Sequence, residues 1–273
     1  MEYYDKELAL ARALATQAGA HLKSARGTLN VLKRPHGESF LDVTTSADVE
    51  AERIILEGVL HEFPHDAILS EESRAGENTS SKRLWIVDPL DGTTNFVKGL
   101  DAYGVSIALL VEGVIVMAVN YLPETHAEYY AVRGTGMYKN GAPLVLRQPD
   151  DTLAESLVSV GFPHARDTQS LSRAFSLYQT MLTASSDLRR SASAAYDACL
   201  LAEGITGAYV TPDIKPWDIA ATVLFVEEQG GVVSDMQGNP LNLFLQHEGG
   251  YRVAIVAAKN AFIHEALITV ISV

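Results

Sequence analysis

Two aspartates three residues apart, Asp88 and Asp91, close a short apolar run, Leu84-Trp85-Ile86-Val87, whose length and composition suit a buried strand. Pro89 follows the first of them, removes a backbone donor and is expected to end the strand. Asp91-Gly92 supplies a turn, and Thr93, Thr94 and Asn95 are residue types that open or cap a helix. Two carboxylates would then face one place with the Leu90 carbonyl between them, an oxygen-only donor set that suits Mg²⁺ or another hard cation. The amides of Gly92 and Thr93 could hold an anion such as phosphate beside it. Read as five residues alone, Asp-Pro-Leu-Asp-Gly is equally well an ordinary acidic turn.

Further acids fall where elements begin or end. Asp48 lies in the first turn expected for a helix reaching about His61, with Ser46 as the expected N-cap, and the helix dipole alone would favour an acid there. Glu71-Glu72 ends the short strand Ala67 to Ser70, a place where acids are commonly solvated. Asp218 opens a helix from Lys215 to about Gln229 that Gly230-Gly231 stops, again a position the dipole favours.

The elements that must position these acids can be read in order. Leu8, Ala11, Leu14, Ala15, Ala18 and Leu22 have helical spacing, whereas Arg26 to Phe40 shows no period and reads as a loop. Two apolar runs between Tyr103 and Val119, split by Glu112-Gly113, signal a hairpin, and Asn140-Gly141 marks a second tight turn. Composition turns polar at Gln148 to Thr152, which places a soft boundary there and suggests halves 1–148 and 149–273. Beyond it strands and helices alternate: Leu157 to Gly161, Leu171 to Thr183, a strand near Leu188, Ala192 to Ala202 and Gly207 to Thr211. Strands at Val232 to Ser234 and Arg252 to Ala257 precede a last helix from Asn260. That order predicts mixed α/β layers.

Composition narrows the function. With 273 residues, 47% hydrophobic and 20% charged, the chain can bury a large core. A net charge of −13 without a dense basic run argues against nucleic acid as principal substrate, although bound cations could still invert the local field for a phosphorylated small molecule. The single cysteine, Cys199, sits among apolar neighbours as a core thiol and excludes an intrachain disulfide. Met1 to Lys6 lacks the pattern of a signal peptide, and no apolar run approaches the roughly 20 residues that span a bilayer, so no membrane partner and a cytoplasmic location are expected. The eight histidines show no metal-binding spacing, and no regular twelve-residue loop supports a calcium-binding module.

The stretch Leu84 to Phe96 closely resembles the first signature of the inositol monophosphatase family, Trp-x-Val-Asp-Pro-Ile/Leu-Asp-Gly-Thr-x-Asn-Phe, at every specified position. Trp217, Asp218, Ala220 and Ala221 match its second signature, and Asp42, Thr45 and Asp48 fit a third, partial one. The resemblance implies a layered αβαβα sandwich, usually a homodimer, and a lithium-sensitive phosphomonoesterase using two or three Mg²⁺ ions on a small phosphorylated polyol such as inositol 1-phosphate. By the same resemblance Glu71, Asp88 and the Leu90 carbonyl hold one ion, and Asp88, Asp91 and Asp218 a second. Thr93 with Asp48 positions the attacking water, which Glu71 also helps orient, and Asp91, Gly92, Thr93, Ser193 and Ala194 contact substrate. Ser70 stands where the family has Gly, Lys33 is the candidate for a loop lysine, and Thr211 replaces an inositol-contacting Glu, with Asp213 nearby as a substitute. Fructose-1,6-bisphosphatase, histidinol phosphatase and nucleotide phosphatase relatives share the metal ligands, though Thr-Thr-Asn-Phe resembles the inositol branch. Some bacterial relatives imply a role as a transcription-associated interaction protein instead.

Overall fold

Apolar runs separated by two-residue turns bury themselves by pairing with one another, and between Ala67 and Pro143 the chain does this in one sheet. The computed structural model describes residues 4–26, 31–32, 44–73, 81–147, 152–163, 167–247 and 250–272. Lys33, Asp42 and most of the stretch read as a boundary, 148–151, lie outside them. Helix α1 (Asp5–Ala25) leads through the paired strands β1 (Val31–Leu32) and β2 (Thr44–Thr45) into α2 (Ser46–Glu62). The aperiodic stretch after Arg26 thus contributes one strand, because Val31 and Leu32 find partners in Thr45 and Thr44.

The first sheet runs β3 (Ala67–Ser70), β4 (Arg83–Asp91), β5 (Gly104–Val111), β6 (Val114–Leu122), β7 (Ala127–Val132), β8 (Met137–Lys139) and β9 (Ala142–Pro143) in spatial order, with α3 (Thr93–Lys98) between β4 and β5. Only the β3–β4 pair is parallel. Both expected hairpin turns have two residues of positive φ: Glu112 and Gly113 at 50° and 82°, Asn140 and Gly141 at 51° and 81°. That geometry matches the twist of the flanking strands.

A 3₁₀ turn (Leu153–Glu155) opens the second half. Then come β10 (Leu157–Val160), α4 (Thr168–Ala184), β11 (Asp187–Arg189), α5 (Ala194–Ala202), β12 (Ala208–Ile214), α6 (Pro216–Glu228), β13 (Val232–Ser234), β14 (Gln246–His247), β15 (Gly250–Tyr251), β16 (Val253–Ala258) and α7 (Ala261–Ile271). Its five-stranded sheet is ordered β11-β10-β12-β16-β13.

Alternation along the strands sorts the core into three layers of apolar contact. Trp85, Val87 and Ile107 face α1 and α2 through Leu14, Ile55 and Val59. Leu84, Ile86 and Ala108 face α5 and α6, and Ile255 and Ala257 of the second sheet close on those helices from the other side. Val158, Val210 and Val256 cover α4 and α7 through Met181, Ile263 and Leu267. The result is the expected αβαβα sandwich, with seven α-helices among the described residues. Helix α6, squeezed between two sheets, is apolar nearly all round: Ile219, Ala220, Ala221, Leu224 and Phe225 are almost wholly buried. Its small residues let it approach β4, which brings its first turn to the end of that strand. No helix is long and apolar enough to cross a membrane among the described residues.

Candidate metal-dependent active site

Strand β4 does not stop at Pro89. It runs to Asp91, with Asp88 opposite Ser106, Asp91 opposite Gly104 and an irregularity of register between them. Strand β3 has ended opposite Val87, so among the described residues β5 is the one strand flanking this part. Pro89 falls within the irregularity, where its missing N–H interrupts no regular ladder. The bulge brings the ends of two acids and one carbonyl to a single place. The Leu90 amide donates to Asp88 Oδ1 at 3.1 Å. Gly92 then turns at φ 86°, and a Cβ there would lie 2.9 Å from the Ala102 carbonyl oxygen and 3.0 Å from Ser193 Cβ, so both conformation and space exclude larger residues.

Carboxylate oxygens of Asp88, Asp91 and Asp218 lie within 4.8 Å of one another. Pro216 in the first turn of α6 places Asp218 there, with its Oδ2 accepting from the Lys215 amide at 3.2 Å. Glu71 follows β3, is anchored by its amide to the Val87 carbonyl at 3.3 Å, and meets the Asp88 carboxyl directly. Four acids from three separate stretches of chain therefore adjoin.

Their mutual repulsion is legible in their protonation. Burial, then the charges of Asp218, Glu72 and Asp48, push Glu71 well above the usual carboxylate range. Burial followed by Glu71, Asp91 and Asp218 does the same to Asp88. Asp218 is raised to about 7 by burial and Asp91, eased by Lys215. Asp91 is raised to about 6 by burial, held back by Ser193 and the Ala195 amide. Divalent cations fit this set: every donor is a hard oxygen, and a cation would relieve the repulsion that otherwise drives proton uptake.

Asp48 approaches from α2. The N-cap is Thr45 rather than Ser46: its hydroxyl accepts from the Ala47 amide at 3.1 Å and the Asp48 amide at 3.4 Å. Asp48 Oδ2 reciprocates by accepting from the Thr45 amide at 2.8 Å and from its hydroxyl, a capping box that fixes the acid. Its Oδ1 lies 3.2 Å from the Thr93 hydroxyl, which is also 3.1 Å from the Leu90 carbonyl oxygen. Burial raises Asp48 against the hydrogen bonds it receives.

Ser193, the N-cap of α5, donates its hydroxyl to Asp91 Oδ2, as does the Ala195 amide at 2.7 Å. Ser193 and Ala194 are both buried. Thr211 is buried too, with its hydroxyl toward the Asp213 carbonyl at 3.4 Å, and the Asp213 carboxylate is engaged by Arg252 at 2.9 Å through both oxygens. Sequence reasoning placed Thr45 in a partial signature without its capping role, and did not single out Ser191 or Asp197. For Asp197 the signal was an acid within the otherwise largely apolar helix α5; Ser191, in the loop before it, carried none. Asp197, buried between the Ser159 and Ser191 hydroxyls, is raised to about 7 by burial.

The sequence matches the model of the inositol monophosphatase family over residues 4–272. A Nus factor SuhB of Pasteurella multocida is 37% identical over 226 residues, 83% of this chain and 81% of that protein. Among solved structures, the extragenic suppressor protein suhB from Bartonella henselae superposes with a TM-score of 0.85 at 30% identity, covering 98% of each chain. An IMPase from Thermotoga maritima superposes with a TM-score of 0.83 at 28% identity, covering 98% of this chain and 97% of that one.

Proposed function

The chain belongs to the inositol monophosphatase family, and from that premise we propose that it is a Mg²⁺-dependent phosphomonoesterase acting on inositol 1-phosphate or a related sugar or polyol phosphate. One observation carries this reading: acids from distant segments, Asp88, Asp91 and Asp218, bring oxygens within 4.8 Å of one another in a setting that holds protons near neutral pH. Glu71, Asp88 and the Leu90 carbonyl would hold one Mg²⁺, and Asp88, Asp91 and Asp218 another. Bound there, the ions would lower the pKa of water and neutralise charge on the leaving oxygen.

The chain's own groups do the rest. The Thr93 hydroxyl, 3.2 Å from Asp48 Oδ1, orients the attacking water, and Asp48 receives its proton through that hydroxyl. The amides of Gly92 and Thr93 hold the phosphate. Asp91, Ser193 and Ala194 lie on the substrate side. Because the Ser193 hydroxyl is committed to Asp91, its effect on substrate comes through that acid. Thr211 cannot accept two sugar hydroxyls as a carboxylate does, and Asp213 is occupied by Arg252, which favours a substrate other than inositol 1-phosphate within the class. Lithium would inhibit by competing at one Mg²⁺ position, and a homodimer is the assembly we expect.

The test is a panel of inositol, sugar, histidinol and nucleotide monophosphates and fructose 1,6-bisphosphate, each with Mg²⁺ and with chelator. Chelator-sensitive release of phosphate from one ester class is expected. Failure to hydrolyse any of them with Mg²⁺ would end the reading. The relatives named Nus factor SuhB support a second role as a transcription-associated interaction protein. Retention of RNA polymerase components by an Asp88→Asn variant would favour it over catalysis alone.

A further inference from the structure

We propose that Asp197 is a positioning residue for the cation site, acting through Ser191 and Ser193 to hold Asp91 in one orientation; this rests on the metal-dependent reading above. Asp91 is a short acid whose usefulness as a ligand depends on which oxygen it turns toward a cation. Its Oδ2 accepts from the Ser193 hydroxyl and from the Ala195 amide at 2.7 Å, so Oδ1 is the oxygen left for coordination. The Ser193 hydroxyl in turn accepts from the Tyr196 amide at 3.2 Å, which directs its single proton to Asp91.

What holds Ser193 in place is a turn that would not form by preference. Ala192 lies at φ 63°, a left-handed region that a residue with a Cβ enters only at a steric cost. Two contacts secure that turn at Ser191. Its carbonyl accepts from Asn95 Nδ2 at 2.8 Å, and Asn95 also reaches the Ala102 carbonyl at 2.6 Å. Its hydroxyl accepts from the Ser193 amide at 3.0 Å and has two acceptors for its one proton, Asp197 Oδ2 at 2.7 Å and the Ser193 carbonyl at 2.8 Å. The other Asp197 oxygen accepts from the Ser159 hydroxyl of β10 at 2.9 Å. Hydrogen bonds thus connect the second sheet to the Asp91 carboxylate, with Ser159 and Ser191 both donating into Asp197 and Ser193 donating to Ser191 through its amide and to Asp91 through its hydroxyl.

The choice of an acid is informative. Asp197 is 2% exposed and Ser159 is fully buried, and burying a carboxyl between two hydroxyls is costly where a packed apolar pair would serve stability better. A carboxylate facing Ser191 is a stronger acceptor than the competing Ser193 carbonyl, so it takes the Ser191 proton and leaves that oxygen's lone pairs to the Ser193 amide. Supporting groups of this kind around a metal site are worth about 10–100-fold in metal affinity.

The experiment is isothermal titration of the metal-free full chain with Mg²⁺, with thermal melts to confirm that each variant folds. Asp197→Ala and Ser191→Ala should each weaken Mg²⁺ binding about 10–100-fold, whereas Asp197→Asn, which keeps an acceptor toward Ser191 and a donor toward Ser159, should stay within about threefold of wild type. A role confined to stability would lower melting temperatures in all three and leave the affinity of the folded protein unchanged. If Asp197→Ala fails to fold, Ser191→Ala decides alone. Wild-type binding with undiminished affinity in the folded alanine variants overturns this proposal and leaves the enzymatic reading standing. A wild-type chain that binds no Mg²⁺ overturns both.

Discussion

One row of the first sheet, on the face turned to α5 and α6, has a group of acids at one end and a single buried acid at the other. The row crosses from Asp88 through Ser106, Asn120 and Tyr129 to Lys139, each opposite the next in register. At the Lys139 end, Glu203 of the α5 terminus accepts from Lys139 Nζ at 2.7 Å and from the Tyr129 hydroxyl at 2.5 Å, with Arg147 at 3.4 Å. Burial pushes Glu203 up, yet these partners outweigh it and hold the acid below the usual carboxylate range. At the other end Asp88 is more deeply buried and its neighbours are Glu71, Asp91 and Asp218, so burial first and like charge second drive it the opposite way. The same sheet, face and helices thus carry an acid held ionised by neighbouring cations and a group of acids that repel one another. The first is a structural device; the second is suited to recruiting metal.

The sharpest way to break that contrast is to remove an acid at the metal-recruiting end. Asp88→Asn or Asp218→Asn should lower turnover of the preferred ester at least about 100-fold, beyond what a supporting residue is worth. In the metal-free state at pH 8 the same change should raise the melting temperature, because it removes repulsion. An unchanged rate would undo the assignment.

Metal and proton should compete at that end only. In the folded, metal-free chain Asp91 and Asp218 titrate at about 6 and about 7, above the unfolded value near 3.9. Between those limits the native state holds protons the unfolded chain has lost, so stability should fall as pH rises, by about 1.4 kcal/mol per pH unit for each proton. Mg²⁺ at a hundredfold excess over its Kd should restore about 2.7 kcal/mol at pH 8, and less at pH 5. Glu203, with its pKa depressed, works in the opposite sense: its stabilisation is present above the unfolded value and lost as pH falls through the folded one. Urea unfolding with and without Mg²⁺ across pH 4–8 separates the two; a stability profile that rises through this window without metal would contradict the first.

Two smaller changes sharpen the contrast. Thr93→Val should reduce kcat about 100-fold while Mg²⁺ affinity in titration stays unchanged, separating proton handling from metal holding. Glu203→Gln should cost about 2 kcal/mol in urea unfolding, from the cations it leaves uncompensated, with turnover intact. Least of all, Ala192→Gly should shift stability by under about 1 kcal/mol, since relief of the left-handed strain is offset by the greater freedom of glycine when unfolded.

Much of the site could be read before any coordinates. Asp88 and Asp91 belong to one strand end, and Asp48 and Asp218 to helix starts, because strand composition, turn residues and capping preferences are local. The same locality explains the hairpins at Glu112-Gly113 and Asn140-Gly141. Pro89 was misjudged for the converse reason: whether proline ends a strand depends on what its neighbour strand asks of that position, and β5 leaves an irregularity there. The N-cap moved from Ser46 to Thr45 because Thr45 ends the strand paired with Val31, so its backbone is already extended where the helix begins.

Taken by itself, then, the order of residues determined which acids stand at the ends of elements and that the elements would layer, since both follow from interactions within a few positions. Only the tertiary structure decided that α6, being apolar all round, would lie between two sheets and carry Asp218 to the bulge of β4. It also decided that Ser159, Ser191 and Asp197 would join into a buried chain ending on Asp91. Charge repulsion and hydrogen-bond direction depend on distance in space, and spacing along the chain does not encode them.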